Sequence, residues 1–237
     1  KYYFGLSSNG SREGRELLKD ARTKTITYEG VPQNGNPVFP LHAQFCYMSW
    51  MLLEIEFPIS SQKIEFDYMT EQGVETYLLT EEEFLKPQGR NCQQHNLNYL
   101  KKEFNQPKLQ SITFPTGRIE FEKNSVPRLD LKNSYALKSI TLFDQGDQRI
   151  KKMIFNTSYW QSVLGNNTSL LFDQSEINRG KYRLRLDSVS LLGKLDTTEQ
   201  QQYVFGYDTQ ILPNRYSKAT DYFGYYNGNS SVPYVTS

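Results

Sequence analysis

One short pattern of apolar positions occurs four times along the chain. In each copy a leucine is followed three residues later by Ile or Val, and two residues after that by another large apolar residue. A turn and a second segment of alternating apolar and polar residues come next. The copies start at Leu52, Leu109, Leu137 and Leu186, and the second segments start at Ile64, Ile119, Met153 and Tyr203. Period-two alternation on both sides of a turn predicts four antiparallel hairpins, each with one buried face.

The residues between these segments are typical of hairpin turns. Pro115-Thr116-Gly117 offers a fixed φ followed by a residue that tolerates positive φ. Gly146 is flanked by Asp144 and Asp147, which favour Asx turns. Near the start of the chain, "SREGRELLKDAR" is compatible with a helix, but the preceding Asn9-Gly10 favours a hairpin turn there.

Two stretches predict short helices. Thr80 precedes three glutamates, as the cap of a first helical turn would, and residues 92–104 carry apolar residues at helical spacing before a proline. The residues at that spacing are Leu97, Leu100 and Phe104. Residues 161–180 lack clear alternation, and we expect a long surface loop there.

Together these elements predict an all-β fold of successive antiparallel hairpins, arranged in a curved sheet or a sandwich, with at most short helices. We expect aromatic residues inside this fold, and Glu, Lys, Gln and Thr on its solvated face. At 237 residues the chain fits a single β-rich domain over residues 1–237. The one weak candidate break lies near residues 80–107, where the period is lost, and residues 229–237 form a polar tail that we expect to fray.

Charge and composition argue against several classes of partner. The 27 Lys and Arg residues nearly balance the 26 Asp and Glu residues, so no net field attracts nucleic acid. The longest apolar stretch, Phe45 to Leu53, has about half the length of a membrane-spanning helix, and we expect no membrane insertion by this segment. No phosphate-binding glycine loop or dinucleotide fingerprint occurs, so no cofactor is predicted. Lys1 begins neither a secretory signal nor a lipidation motif, and location has to be inferred from other features.

With these hairpins in view, the chain resembles uncharacterised surface or secreted proteins of Bacteroidetes, whose degenerate hairpins are similar to the YD repeats of Rhs-type proteins. The matching stretches are "SWMLLEIEFPISSQKIEFDYM", "LQSITFPTGRIEFE", "RLRLDSVSL", "YVFGYD" and "LPNRYSKATDYFGYYNG". In the last of these, an aromatic residue follows Asp-Tyr and precedes Gly-Tyr-Tyr-Asn-Gly. The resemblance implies a β-rich, non-catalytic part of a longer polypeptide, located in the cell envelope or outside the cell. Its partners would be the remaining parts of that polypeptide or other envelope components.

The two Cys and two His residues raise the question of a metal site. His42 and Cys46, with Cys92 and His95, supply the ligand types and local spacings of a tetrahedral zinc site. However, Cys46 belongs to an alternating segment, and a disulfide between Cys46 and Cys92 would need one contact rather than four. Three alternatives stay open: a disulfide, two unlinked thiols and a zinc site.

Acidic residues two positions apart in the predicted strands are candidates for glycosidase chemistry. The pairs are Glu65 with Asp67 and Glu120 with Glu122. Residues i and i+2 share one face of a strand, so the simpler interpretation is that these pairs mark the solvated face. Asp144 and Asp147 could hold Ca²⁺, but their loop has far fewer oxygen ligands than a dedicated site, and a plain turn is favoured. No catalytic residue is predicted.

Aromatic residues near the end of the sequence are the remaining candidates for binding. They are Tyr222, Phe223, Tyr225 and Tyr226. These side chains could stack on sugar rings or plug an open end of the fold, whereas core packing explains Trp50 and Trp160. We therefore expect a non-enzymatic structural or scaffold module of a bacterial cell-envelope or secreted protein. The alternative is a carbohydrate- or peptide-binding surface module that uses exposed aromatic residues, with glycans as partners.

Overall fold

The computed structural model describes residues 1–29, 46–85, 93–162, 173–194 and 200–216. They form one antiparallel sheet with strands β1 (Tyr2–Phe4), β2 (Arg15–Glu29), β3 (Cys46–Trp50), β4 (Leu52–Glu56), β5 (Lys63–Leu85), β6 (Gln93–Phe114), β7 (Gly117–Pro127), β8 (Tyr135–Asp144), β9 (Arg149–Gln161), β10 (Tyr182–Leu192) and β11 (Gln200–Val204). Neighbouring strands follow the order β1-β4-β5-β6-β7-β8-β9-β10-β11, and β2 pairs with both β3 and β6. The sheet does not close. The predicted all-β fold of antiparallel hairpins is confirmed, as a single sheet rather than a sandwich.

All four predicted hairpins occur, in the register that the sequence pattern implies. In each one, the Ile or Val of the first segment lies opposite the first residue of the second segment. The pairs are Ile55 with Ile64, Ile112 with Ile119, Ile140 with Met153 and Val189 with Tyr203. A slip of one residue would turn every apolar side chain to the other face, so the alternation fixes this register strongly.

This register gathers the apolar positions of the hairpins on one side of the sheet. They are Tyr2, Ile55, Ile64, Phe66, Ile112, Ile119, Phe121, Ile140, Leu142, Met153, Phe155, Val189, Leu191 and Tyr203, which we call the apolar face. None of these residues is fully buried: Tyr2 and Tyr203 are exposed, and the others are half-buried. In the described part of the chain the apolar face therefore lacks the covering layer that a sandwich would provide.

Two turns lie where the sequence predicts them, but their glycines do not supply the positive φ that was expected. Gly117 does not adopt positive φ, and a Cβ there would overlap the carbonyl oxygen of Phe143 in β8. Close approach of two strands, not turn conformation, is therefore what Gly117 permits. In the turn after β8, the residue with positive φ is Asp147 (φ 61°). Asp144 Oδ1 accepts hydrogen bonds from the backbone N–H groups of Gly146 (2.9 Å) and Gln148 (2.8 Å), as an Asx turn requires.

The first turn of the chain also has the favoured form. An isolated antiparallel bridge joins Leu6 to Glu13 around Asn9-Gly10, and Gly10 has a φ of 72°. The segment that follows continues as β2. The hairpin interpretation of this region is confirmed.

The two predicted short helices are wrong, because both segments belong to the longest strands. Thr80 and the glutamates after it lie in β5, and residues 93–104 lie in β6. There β6 is hydrogen-bonded to β5 on one side and to β2 on the other: Leu100 lies opposite both Leu78 and Thr23. Pairing on both edges outweighs the weak helical spacing of the local sequence. In the candidate domain break near residues 80–107, the described residues 80–85 and 93–107 lie in β5 and β6, and the break itself stays a prediction.

The segment expected to be a long loop contains the helix α1 (Gln174–Gly180). Asp173 Oδ1 accepts a hydrogen bond from the Glu176 N–H (2.8 Å), and Glu176 Oε2 accepts one from the Asp173 N–H (2.9 Å). This capping box was visible in the sequence as Asp-x-x-Glu and would have predicted the helix start. Among the described residues, no helix has the length and apolar character needed to cross a membrane.

Candidate functional site

Most of the binding residues expected from the sequence lie outside the described part of the chain. Those are Tyr222, Phe223, Tyr225, Tyr226, His42 and Cys92. Cys46 begins β3, is exposed, and has its Sγ 3.7 Å from Met48 Sδ, whereas its proposed partner Cys92 lies outside the described residues. The disulfide between Cys46 and Cys92 therefore stays a prediction.

The distance between Cys46 and His95 along the sheet follows from the residues of β2 that pair with each of them. Cys46 lies opposite Leu18, and His95 in β6 lies opposite Tyr28, ten residues further along β2. At the usual rise of about 3.3 Å per residue, the two backbones are roughly 33 Å apart. The structure thus does not bring Cys46 and His95 together as ligands of one zinc ion. Within the described residues, no group of three or more His, Cys, Asp or Glu side chains could hold a metal.

Several acidic residues are buried, contrary to the expectation that Glu would lie on the solvated face. They are Glu54, Glu71, Glu75, Asp130 and Glu176. Each accepts hydrogen bonds from basic, hydroxyl or backbone groups of distant segments; Glu71, for example, binds the Ser134 hydroxyl at 2.7 Å and the Tyr135 N–H at 3.1 Å. A buried carboxylate is tolerated when it is paired in this way. These acids hold segments of the chain together.

The largest such group joins α1 to the sheet. Lys101 Nζ lies 3.0 Å from Glu75 Oε1 and 3.3 Å from Glu176 Oε1, and the Tyr99 hydroxyl donates to the same Glu176 oxygen at 3.0 Å. Lys132 Nζ reaches Glu75 Oε1 at 2.6 Å, and the Tyr77 hydroxyl donates to Glu75 Oε2. Burial, reinforced by the negative charge of Glu176, raises the pKa of Tyr99 well above its ordinary value. Both phenols therefore stay protonated and act as donors within the cluster.

Glu75 itself is held in the charged form. Burial alone would raise its pKa, but hydrogen bonds from Lys132, Tyr77 and Lys101 outweigh burial and lower the pKa below the ordinary value. A general acid near neutral pH needs the opposite shift. The cluster therefore holds α1 against the sheet, and the charged state of Glu75 does not suit it to act as a general acid.

The acidic pairs considered for glycosidase chemistry are also engaged. Arg12 binds Asp67 Oδ1 at 2.7 Å, Glu54 Oε1 at 2.8 Å and Glu65 Oε1 at 3.1 Å, and so fastens the N-terminal turn to β4 and β5. On β7, Glu120 binds Arg118 at 2.8 Å, while Glu122 binds Lys138 at 2.6 Å and the Ser139 hydroxyl at 2.8 Å. Asp147, considered for Ca²⁺, pairs with Arg118. These contacts give the acids structural roles, across strands for Glu122 and within β7 for Glu120.

Neither tryptophan is fully buried, although the sequence predicted that both pack in the core. Trp50, at the end of β3, is 56% exposed. Trp160, at the end of β9, is half-buried and lines a cleft of about 330 Å³. The expectation that both Trp residues pack in the core is therefore wrong for Trp50, and Trp160 marks a cavity that the sequence did not reveal.

The cleft is lined by the end of β9, by β10 and by the segment that follows β11, residues 205–212. Trp160, Arg185 and Asp187 line the cleft from the strands, and Phe205, Tyr207 and Ile211 line it from residues 205–212, which we call the wall of the cleft. The Trp160 and Tyr207 rings meet edge to face, with centroids 4.9 Å apart and planes at 79°.

The wall of the cleft is anchored at both ends. The Tyr207 hydroxyl donates to the Leu186 carbonyl oxygen at 2.6 Å. Further along, the Ser162 hydroxyl donates to the Pro213 carbonyl oxygen at 3.0 Å, and the Arg215 N–H donates to the Gly180 carbonyl oxygen at 3.0 Å. A cleft with a fixed wall is preformed, as small-molecule sites usually are.

The sequence held a partial signal for this site. Arg183, Arg185 and Asp187 alternate in "RLRLDSVSL", which places their side chains on one side of a strand, but nothing local identified the aromatic partners. Comparison of this chain with protein-family models, with curated proteins and with solved structures finds no match.

Proposed function

We propose that this chain is a non-enzymatic structural module of a bacterial cell-envelope or secreted protein, and that its apolar face packs against a second β layer from the rest of a longer polypeptide. The observation that carries the proposal is the apolar face, whose residues span β1 to β11 and none of which is fully buried. Large contiguous apolar surfaces are uncommon on isolated soluble proteins and mark surfaces that another element covers.

The chemistry of the apolar face supports a second β layer as its occupant. The face is pleated, and the interior positions named above are Ile, Leu, Met, Val and Phe, as in the inner faces of sandwiches, although the register also places Lys151 on this side, opposite Leu142.

The opposite side of the sheet supports the non-enzymatic part of the proposal. There Arg12 binds Glu54, Glu65 and Asp67, and Lys138 binds Glu122, so these acids are paired within the chain. Paired, hydrogen-bonded carboxylates stabilise a sheet without leaving a group poised for proton transfer.

Location in the envelope or outside the cell rests on the resemblance of the hairpins and of the Leu212 to Gly228 stretch. An antibody against this chain, applied to fractionated and protease-treated cells of the source bacterium, tests it. We expect the chain in the envelope or culture-medium fraction, and recovery only from the cytosolic fraction would contradict the proposal.

Cysteine labelling tests the occupant of the apolar face. The native cysteines, Cys46 and Cys92, are replaced by Ser, and Ile140→Cys is introduced on the apolar face, with Glu120→Cys on the opposite side as the matched control. Reaction with a maleimide is compared in the isolated chain and in the parent polypeptide. We expect Ile140→Cys to react in the isolated chain and to be protected in the parent polypeptide, whereas Glu120→Cys reacts in both.

Two outcomes would overturn this proposal. Equal reaction of Ile140→Cys in both forms would show that the rest of the polypeptide does not cover the face. Protection of Ile140→Cys already in the isolated chain, with a dimer by light scattering, would assign the face to a second copy instead.

A further inference from the structure

We propose that the cleft between β9, β10 and residues 205–212 binds a neutral saccharide, with the Trp160 and Tyr207 rings as its aromatic contacts and Arg185 and Asp187 as the groups that bind its hydroxyls. This site goes beyond the structural role proposed above, since it lies apart from the apolar face and depends on other residues. Either proposal can fail without the other.

The shape of the cleft suits a small, flat ligand with one apolar side. Its volume of about 330 Å³ is at the lower end of the range for small-molecule sites. The rings of Trp160 and Tyr207 stand nearly perpendicular, at 79°, and so form a corner. A sugar ring carries C–H groups on its face and hydroxyls around its rim, so it can stack on one aromatic ring while its edge meets the other.

Polar groups with unused hydrogen-bonding capacity lie beside that corner. Arg185 Nε donates to Asp187 Oδ1 at 2.7 Å and to the Ser158 hydroxyl at 3.1 Å, and Ser158 donates to Asp187 Oδ1 at 2.9 Å. Among the described residues, neither the terminal amino groups of Arg185 nor Asp187 Oδ2 has a hydrogen-bond partner. The Arg185 and Asp187 side chains are 32% and 35% exposed, so a ligand can reach them.

This arrangement matches the chemistry of neighbouring hydroxyl groups. Each sugar hydroxyl both donates and accepts, so one can donate to Asp187 while the next accepts from Arg185. Hydrogen bonds to charged groups are the stronger kind, and the Ser158 contact holds both side chains in place before a ligand arrives. Asp208, whose Oδ1 accepts the Gln210 N–H at 2.9 Å, adds a further carboxylate on the wall.

The charged side chains of the cleft disfavour two other classes of ligand that bind aromatic sites, cations and anions. A cation is disfavoured because the Arg185 guanidinium already lies 5.6 Å from the Trp160 ring centre and 5.8 Å from that of Tyr207. An anion is disfavoured because two carboxylates, Asp187 and Asp208, line the cleft, and Arg185 is already paired with Asp187. A neutral ligand rich in hydroxyl groups fits what remains.

The chain offers a direct optical test because it has only two tryptophans, Trp50 and Trp160. Trp50→Phe leaves Trp160 as the sole tryptophan, at the cleft. This variant is titrated with the methyl glycosides of glucose, galactose, mannose and N-acetylglucosamine, and with lactose, maltose and cellobiose, at millimolar concentrations. We expect at least one of these sugars to give a saturable change in Trp160 emission and to protect Trp160 from acrylamide quenching.

The matched control is Trp160→Phe, in which the only tryptophan is Trp50, outside the cleft. We expect no emission change in this variant, and calorimetry should show the responding sugar bound at least about tenfold more weakly. Asp187→Asn should weaken binding by about tenfold or more, because it removes a charged acceptor. Circular dichroism of each variant establishes that the fold is kept.

Two results would overturn the proposal: no saturable response to any of the neutral sugars in Trp50→Phe, or an equal response in Trp160→Phe. The labelling experiment on Ile140→Cys reads out a different surface and is unaffected by any of them.

Discussion

The hydroxyl group of Tyr99, in the long strand β6, donates a 3.0 Å hydrogen bond to Oε1 of Glu176 in α1, and both residues are almost completely buried. This contact joins residues 77 positions apart in the sequence. Lys101 approaches the same carboxylate oxygen at 3.3 Å, so the negative charge of Glu176 is shared between a phenol and an ammonium group.

Tyr99→Phe removes the hydroxyl and keeps the ring, so its effect measures this one hydrogen bond. We expect the free energy of unfolding to fall by about 1.5–3 kcal/mol, the usual value for a hydrogen bond to a charged group. Tyr2→Phe is the matched control, because Tyr2 is 68% exposed, and should change stability by less than about 0.5 kcal/mol. Urea denaturation followed by circular dichroism gives both values, and equal effects would contradict the structural role of Tyr99.

Alkaline pH should unfold the protein by ionising buried tyrosines. Burial raises the pKa of Tyr216 from 10.0 to about 12, and burial also raises the pKa of Tyr99. Folding therefore favours the neutral phenols, and this contribution to stability is complete below pH 10 and is lost as the pH rises towards 12. Circular dichroism reports unfolding, and near-ultraviolet absorbance of the same samples reports phenolate formation. We expect part of the phenolate absorbance to appear only at the pH at which the protein unfolds. Complete ionisation while the far-ultraviolet spectrum stays native would contradict this prediction.

Acid should weaken the attachment of the N-terminal turn through Glu54. Burial would raise the pKa of Glu54, but hydrogen bonds from Ser8 and Arg12 and the charge of Lys63 outweigh it and lower the pKa from 4.5 to about 2. The contribution of Glu54 is therefore present above pH 4.5 and is lost as the pH falls towards 2.

Glu54→Gln tests this acid dependence. At neutral pH it should cost about 1–3 kcal/mol, because Arg12 keeps its contacts with Asp67 and Glu65, and it should flatten the pH dependence of stability below pH 4.5. Glu13→Gln, at a side chain 54% exposed, is the control and should leave the pH profile unchanged. Unfolding midpoints measured across the acid range test this prediction. Identical pH profiles for the two variants would contradict the role assigned to Glu54.

Two glycines in neighbouring turns distinguish steric need from turn propensity. A Cβ at Gly117 would overlap the Phe143 carbonyl oxygen, whereas a Cβ at Gly146 would meet only Asp144 Oδ1 at 3.5 Å, an ordinary contact. We expect Gly117→Ala to destabilise the protein by about 1–3 kcal/mol. Gly146→Ala should be neutral or stabilise it by up to about 1 kcal/mol. Thermal unfolding of both variants checks the difference, and a neutral Gly117→Ala would refute the close approach of β7 and β8.

The hairpins and their register followed from the sequence because they are local. Ile112 and Ile119 are joined by one short turn, and alternation alone fixes which residues face each other. The pairing of β2 with β6 could not be found this way. Thr23 and Leu100 come from distant parts of the chain, and the apolar spacing near Leu100 fits a helix equally well until a neighbouring strand is present on each side.

The cleft and the buried acids depended on contacts that no local pattern encodes. Trp160 ends β9 and Tyr207 lies beyond β11, so their contact depends on the path of the segment after β11. The alternating sequence around Glu54 predicts a solvated side chain. In the structure Glu54 is buried, and Arg12 from the N-terminal turn binds it. In contrast, α1 was predictable, since Asp173 and Glu176 have the spacing of a capping box.

The account depends most on the finding that the described residues leave the apolar face uncovered, and comparing one side chain there with one in the core tests that directly. Ile140 is half-buried on the apolar face, and Val74 is 1% exposed. Both are replaced by Lys, and the free energy of unfolding is measured by urea denaturation. We predict a loss of about 1–2 kcal/mol for Ile140→Lys, because its ammonium group reaches water and only part of the apolar burial and the strand preference are lost. For Val74→Lys we predict a loss of several kcal/mol, because a buried charge is left unpaired. Equal, large losses at both positions would show that the apolar face is already covered within the chain and would contradict the proposed role.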